Sequence, residues 1–125
     1  MKAIVPAGVA ALLCCGTARA SAPVRVETSP RLSTRPLHAI RVRVLVEPDE
    51  ANRAVVAEVD GEHFYRSSVD TLAGAEARRE HVFEWRSLVP CGVYQITATT
   101  FDRNGRVLHV ASDRAYVCHE PDGTP

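Results

Sequence analysis

The sequence predicts an all-β protein, a single antiparallel β-sandwich of six or seven short strands. Apolar and polar side chains alternate with a period of two in several segments, most clearly across residues 40–46. Pairs typical of tight turns, Asp60-Gly61 and Asn104-Gly105, separate such segments. Residues 73–80, the best candidate for a helix, are few and have no apolar stripe. Strands therefore account for the predicted domain.

The expected strands can be placed in order along the chain. Alternation, β-branched residues and flanking turn residues predict strands over residues 40–46, 54–59, 63–66, 81–86, 93–101 and 107–117. Residues 69–77 lack a clear period and are expected to form a loop or a short irregular strand. With 125 residues, the chain is long enough for one domain of this kind and too short for two.

The first twenty residues, MKAIVPAGVAALLCCGTARA, have the composition of a secretory signal peptide. A positive start at Lys2 is followed by an apolar run and by the A-x-A ending Ala18-Arg19-Ala20. That apolar run is too short to span a bilayer. The prediction is cleavage and export, with Ser21 as the first mature residue. The pair Cys14-Cys15 partly resembles a bacterial lipoprotein site and leaves lipid anchoring as the less favoured alternative.

The remaining chain divides into three segments. Residues 21–37 are rich in Ser, Thr, Pro and Arg and are expected to form an extended lead-in, residues 38–119 the sandwich, and residues 120–125 a tail. The short alternation at residues 24–26 leaves an edge strand as the less favoured alternative for part of the lead-in. Removal of residues 1–20 takes away Lys2 and Arg19 and leaves 13 basic against 15 acidic residues. This balance disfavours binding to nucleic acid. The segments also include no apolar stretch long enough for a transmembrane span.

Two cysteines remain after export, Cys91 and Cys118, and an even count in an exported chain favours a disulfide over a metal site. In a two-residue hairpin centred on Asn104-Gly105 these cysteines lie opposite each other. The same register pairs the core residue Ile96 with the charged Asp113. A bulge, or a longer loop over residues 102–106, therefore remains an alternative that shifts the register midway.

The run LVPCGVY at residues 88–94 resembles the penultimate-strand corner of bacterial immunoglobulin-like and fibronectin type III-like domains. In those families a Leu-Pro-Gly corner precedes a buried tyrosine whose hydroxyl bonds to the backbone of the turn. The resemblance implies an immunoglobulin-like sandwich in which Pro90, Gly92 and Tyr94 form the structural corner. It implies little about activity, because such sandwiches serve many unrelated roles. Trp85 is expected to be structural as well.

No group of residues has the spacing of a known active site. The sequence contains no G-x-S-x-G elbow, no glycine-rich phosphate loop and no H-x-x-x-H or C-x-x-C pair, so it predicts neither an enzyme nor a cofactor. His63, His81 and His109 are weak candidates for metal ligands, and surface imidazoles are the simpler interpretation. Arg41 and Arg43, on the outward side of the first predicted strand, fit a solvated sheet face better than a site for an anionic partner.

Taken together, the patterns favour an exported, non-catalytic interaction or structural module of the bacterial cell envelope, periplasmic or secreted. Its expected partner is another envelope protein or a polysaccharide. The alternative is a periplasmic protein that binds a small ligand or a metal through strand histidines.

Overall fold

The computed structural model describes residues 22–120. Within these residues, eight strands and one short 3₁₀ helix follow one another. They are β1 (Val24–Ser29), β2 (Leu32–Ser33), β3 (Ile40–Val46), β4 (Ala54–Asp60), β5 (Tyr65–Thr71), the 3₁₀ helix (Gly74–Glu76), β6 (Glu80–Trp85), β7 (Gly92–Phe101) and β8 (Val107–Val117). The predicted signal peptide, the lipid-anchoring alternative and residues 121–125 of the tail lie outside the described residues. No helix within residues 22–120 is long and apolar enough to cross a membrane.

The strands form two sheets, which confirms the predicted β-sandwich. One sheet has the strand order β1-β3-β6 and the other the order β2-β8-β7-β4-β5. All pairings are antiparallel except that of the two-residue strand β2, which runs parallel to β8. Discounting β2, the sandwich has seven strands within residues 22–120, within the predicted six or seven, although one of them, β1, lies in the segment predicted as a lead-in.

The core lies between the sheets and is built from alternate residues of the central strands. Ile40, Val42 and Val44 of β3 are fully buried, and they belong to the same hydrophobic core as the fully buried Val55 and Val59 of β4. Each such side chain contributes roughly 1.5–3 kcal/mol by leaving water. Side chains at the intervening positions of β3 point away from this core, so burial of one face fixes the register of the strand.

The prediction of an extended lead-in at residues 21–37 is wrong for residues 24–29. These residues form β1 and pair along its whole length with β3, from Val24↔Val46 to Ser29↔Arg41. Val24 is buried against the core. The physical reason is that β3 has a second edge whose backbone groups need a partner. The short Val-Arg-Val alternation supplies that partner, although arginine, proline and serine around it suggest a linker.

The segment after the Asp60-Gly61 turn is also more regular than expected. β5 continues to Thr71, and all seven of its residues pair without interruption with β4. Its side chains are exposed apart from the half-buried Ser68. An edge strand of this kind has no buried face, and therefore shows no apolar alternation. The absence of periodicity over residues 69–71 came from exposure and not from irregular backbone.

The hairpin of β7 and β8 keeps the predicted register. Nine successive pairs run from Gly92↔Val117 to Thr100↔His109, and the register shifts only between Thr100 and Phe101, beside the turn. Gly105, with φ of 79°, occupies the left-handed position that this turn requires. The expected irregularity therefore exists, but it lies at the turn and not midway along the strands.

The mismatched pair Ile96↔Asp113 has a local explanation. Ile96 is fully buried, whereas the Asp113 carboxylate lies at the margin of the core. Its oxygens accept a hydrogen bond from the backbone N–H of Thr28 at 3.2 Å and face the Arg31 guanidinium at 3.3 Å. The end of β1 and the segment leading to β2 thus supply the partners that a carboxylate at this position requires.

Candidate functional site

The disulfide closes the open end of the β7–β8 hairpin. Cys91 and Cys118 are bonded, with their Cα atoms 5.0 Å apart, directly beyond the last strand pair Gly92↔Val117. Cys118 has a positive φ of 69°, and its N–H donates to the carbonyl of Ser33 at 2.7 Å. The disulfide therefore joins the ends of β7 and β8 at the point where β2 packs beside them.

Tyr94 forms the expected corner just inside this end. The side chain is only 2% exposed, and its hydroxyl donates to the carbonyl of Pro90 at 2.5 Å. Burial raises the pKa of this phenol above its ordinary value. The ring meets Phe64 edge-on, with centroids 5.8 Å apart. An added Cβ at Gly61 would overlap the Tyr94 ring, so this glycine provides the space in which the tyrosine packs.

An open groove of about 640 Å³ lies where β5 passes β6. It is lined by Asp70, by residues 78–80 and by His81 and Val82. His81 lies at its base and is only 6% exposed. The Arg79 guanidinium at its rim pairs with Glu47 at 2.7 Å. The groove therefore combines a buried imidazole with several charged groups, a combination that catalytic and metal-binding sites use.

Both ring nitrogens of His81 are occupied. Nε2 lies 2.9 Å from the carbonyl oxygen of Arg78, and Nδ1 lies 3.1 Å from the Asp70 carboxylate. A carbonyl oxygen only accepts hydrogen bonds, so Nε2 is the donor in the first contact. In a catalytic histidine–carboxylate pair, the nitrogen that does not contact the carboxylate, here Nε2, would face a nucleophile or substrate. Here it faces the backbone, and the pair acts as a clamp that holds β5 against β6.

The three histidines that the sequence offered as metal ligands are not brought together. His63 lies in the loop between β4 and β5 with a side chain 74% exposed, and His109 lies on β8 opposite Thr100. No group of three or more potential ligand residues occurs within residues 22–120. The interpretation of His81 as a surface imidazole is wrong. It lies on the inward side of β6 together with the buried Phe83, two residues away.

Asp70 was not singled out from the sequence, and no local pattern marks it. It lies on a different strand from His81, and only the packing of the two sheets brings the residues together. The inward position of His81, by contrast, follows from the alternation that places Phe83 and Trp85 on one side of β6. Trp85 itself is partly buried and stacks on Phe83 with centroids 6.2 Å apart.

The arginines on the outer face of the three-stranded sheet are paired within that sheet. Arg43 lies between Glu80 at 2.6 Å and Glu27 at 2.7 Å, and Arg41 contacts Glu84 at 3.4 Å. The hydrogen bond to Glu80 is the main reason that the pKa of Arg43 is raised. Positive charge on this face is thus balanced locally, which fits a solvated surface better than a site for an anion.

Known proteins resemble this chain only distantly. No family model matches the chain, and no curated protein matches it. Among solved structures, the chain is similar to the CARDB domain of a Pyrococcus furiosus protein, solved in complex with di-metal ions. The identity is 18%, the match covers 75% of this chain and 89% of that chain, and the TM-score is 0.46. The immunoglobulin-like sandwich therefore rests on the strand order, the hairpin register and the tyrosine corner of the chain itself.

Proposed function

We propose that the protein is an exported, non-catalytic interaction or structural module of the bacterial cell envelope. The observation that carries this proposal is the disulfide between Cys91 and Cys118 at the end of the hairpin. Disulfides form and persist in oxidising compartments such as the periplasm and are rare in the cytosol. The sequence of residues 1–20 supports the same address, because it ends in the A-x-A pattern of a cleaved signal peptide.

The polar groups of the groove support a role in interaction more than in catalysis. His81 and Asp70 hold two strands together, and the second ring nitrogen faces a backbone carbonyl. Larger apolar side chains are instead exposed on the surface, namely Leu32, Tyr65, Val69, Val82, Leu88, Val93, Val107 and Val110. Another envelope protein or a polysaccharide is the partner that this surface and the predicted location favour.

Export is tested by expressing the full chain with its own leader and fractionating the cells. We expect periplasmic protein whose intact mass corresponds to a chain that starts at Ser21 and whose two cysteines do not react with a thiol label. The variant Ala20→Trp should block cleavage, because the A-x-A site requires small residues, whereas Arg19→Trp should leave it intact. An unprocessed cytosolic chain with free thiols would contradict the proposal. A lipidated species that begins at Cys15 would contradict the predicted cleavage.

Calorimetric titration separates this proposal from the metal-binding alternative. We expect no saturable binding of Zn²⁺ or Cu²⁺, because His81 already bonds through both nitrogens and His63 and His109 lie on separate elements. Saturable binding that is lost in the variant His63→Ala or His109→Ala would favour the alternative function.

A further inference from the structure

The outer edge of β5 presents free backbone groups, and two hydrogen bonds show which residues carry them. The N–H of Leu72 bonds to the carbonyl of Arg53, and that of Gly61 to the carbonyl of Phe64, each at 2.8 Å. In an antiparallel pair the residues that bond to a given neighbour alternate along the strand. Residues 66, 68 and 70 therefore bond to β4, and residues 65, 67, 69 and 71 direct their N–H and C=O groups away from the sheet.

Apart from the charged side chains of Arg66 and Asp70, this edge lacks the usual protection. β5 is last in the order of its sheet, and no other strand within residues 22–120 pairs with its outer edge. It contains no proline, no lysine and no bulge over its seven residues, the features by which proteins commonly block edge-to-edge pairing. The backbone carbonyl of Tyr65 accepts a hydrogen bond from Arg66, while no group within residues 22–120 bonds to the outward N–H and C=O of Ser67 and Val69.

The strand is also held in place for pairing. On its inner side Asp70 bonds to His81 of β6 at 3.1 Å, and the Arg66 guanidinium donates to the Ser87 hydroxyl at 3.2 Å. The Arg66 guanidinium also lies over the Phe64 ring, 4.5 Å from its centroid. An incoming strand would thus meet an edge that is already extended, which lowers the entropic cost of pairing.

We propose that β5 pairs antiparallel with β5 of a second copy of this chain, about a two-fold axis at Ser68. In this register Ser67 lies opposite Val69 of the partner subunit, so the free backbone N–H and C=O groups of the two edges meet. Arg66 then lies opposite Asp70 of the partner subunit, and the two-fold axis repeats this contact. A shift of two residues in either direction would place Arg66 or Asp70 opposite a serine. Charge complementarity therefore selects this one register.

The resulting dimer has a self-complementary interface, as a two-fold axis requires. The two five-stranded sheets would join into one continuous sheet. A joint made by two edge strands buries little surface, so we expect a weak, concentration-dependent dimer. This inference goes beyond the proposed function and does not depend on export, since the edge belongs to the folded domain in any compartment.

The first test uses a proline substitution at matched positions on two edges. The N–H of Val69 faces away from β4, so Val69→Pro should leave the fold intact and remove a donor from the outer edge only. Val82 is the control. The N–H of Val46 on β3 donates to the carbonyl of Arg79 at 2.8 Å. Because bonding residues alternate along a strand, the N–H of Val82 lies on the free side of β6. Sedimentation from about 1 µM to about 1 mM covers the range of weak interfaces. We expect wild type and Val82→Pro to dimerise and Val69→Pro to remain monomeric, each with a native circular dichroism spectrum.

The second test reads the register directly in the purified protein. Residue 68 lies opposite itself across the axis, in a non-hydrogen-bonded pair whose Cα atoms are about 4.5 Å apart. Under mild oxidation Ser68→Cys should therefore form a covalent dimer. Ser67→Cys should not, since two copies of residue 67 are diagonal neighbours roughly 7–8 Å apart. A wild type that stays monomeric throughout the range would overturn the proposal. Equal cross-linking of both cysteine variants, or cross-linking of Ser67→Cys alone, would overturn it as well.

Discussion

At the scale of single residues, the contact between Gly61 and Tyr94 shows how one side chain can determine another residue far along the chain. Gly61 follows Asp60 in a turn, and turn chemistry alone accounts for a glycine there. The structure adds a second reason, since the Tyr94 ring occupies the space that a Cβ at Gly61 would need. The ring cannot easily move away, because its hydroxyl is bonded to Pro90 and its edge is packed on Phe64.

Replacement of Gly61 by alanine should therefore destabilise the fold through overpacking. We expect a loss of about 1–3 kcal/mol in the free energy of unfolding, the usual cost of forcing a methyl group into a filled space. Chemical denaturation measures this loss. Glu62→Ala, one residue further along the same loop and exposed, is the control and should change stability little. Equal midpoints for Gly61→Ala and wild type would show that the ring adjusts freely.

Replacement of Tyr94 by phenylalanine should also lower stability, through the corner hydrogen bond alone. The ring stays in place while the Pro90 carbonyl loses its donor, and a loss of about 0.5–1.5 kcal/mol is expected. The same denaturation experiment measures it. Tyr65→Phe is a control in which an exposed hydroxyl, bonded to Glu58 at 2.6 Å, is removed, and it should cost less. If the two variants lose the same stability, the buried hydrogen bond of Tyr94 contributes no more than the exposed hydrogen bond of Tyr65.

At the scale of the element, the β7–β8 hairpin was predictable because two independent features specify it. The Asn104-Gly105 turn and the positions of the cysteines agree on one register, and nine pairs follow it. The edge strands β1 and β5 were predictable only in part, from the short alternation at residues 24–26 and the strand expected at residues 63–66. Their full lengths depend on pairing with β3 and β4. His81 and Asp70 show the same limit, because their contact depends on how the two sheets are placed.

The turn of this hairpin should respond to acid. The backbone N–H groups of Arg106 and Asn104 both donate to the Asp102 carboxylate, which lowers its pKa below the ordinary value of 3.8. A lowered pKa in the folded state means that the stabilisation is complete above that ordinary value and is lost as pH falls through the folded pKa. Asp102→Asn keeps an acceptor oxygen but does not titrate, so it should lose less stability than wild type between pH 5 and strongly acidic solution, roughly over the pKa range of carboxylates.

Carboxyl titration by NMR measures the Asp102 pKa directly, and chemical denaturation at each pH gives the accompanying change in stability. An Asp102 pKa at or above 3.8 would show that the two backbone hydrogen bonds do not persist in solution.

At the scale of the whole molecule, the disulfide should supply a large part of the stability. The two cysteines are 27 residues apart in sequence, and closing a loop of this length contributes about 3–4 kcal/mol in the chain-entropy account. Small domains have a net stability of only about 5–15 kcal/mol. Reduction of wild type and the double substitution Cys91→Ala, Cys118→Ala should therefore lower the denaturation midpoint by similar amounts. An unchanged midpoint under reductant would mean that the strands alone hold this end of the sandwich.

The position of the disulfide also determines how the molecule would respond to tension. Because Cys91 and Cys118 enclose both final strands, a pull on the two ends of the chain bypasses the hairpin and passes through the sulfur atoms. The segment between them, at a sequence separation of 27, cannot be drawn out, which shortens the extended chain by roughly 90 Å at about 3.3–3.6 Å per residue. Only the strands before β7 could lengthen under load, while Tyr94 and the hairpin would stay inside a closed covalent ring.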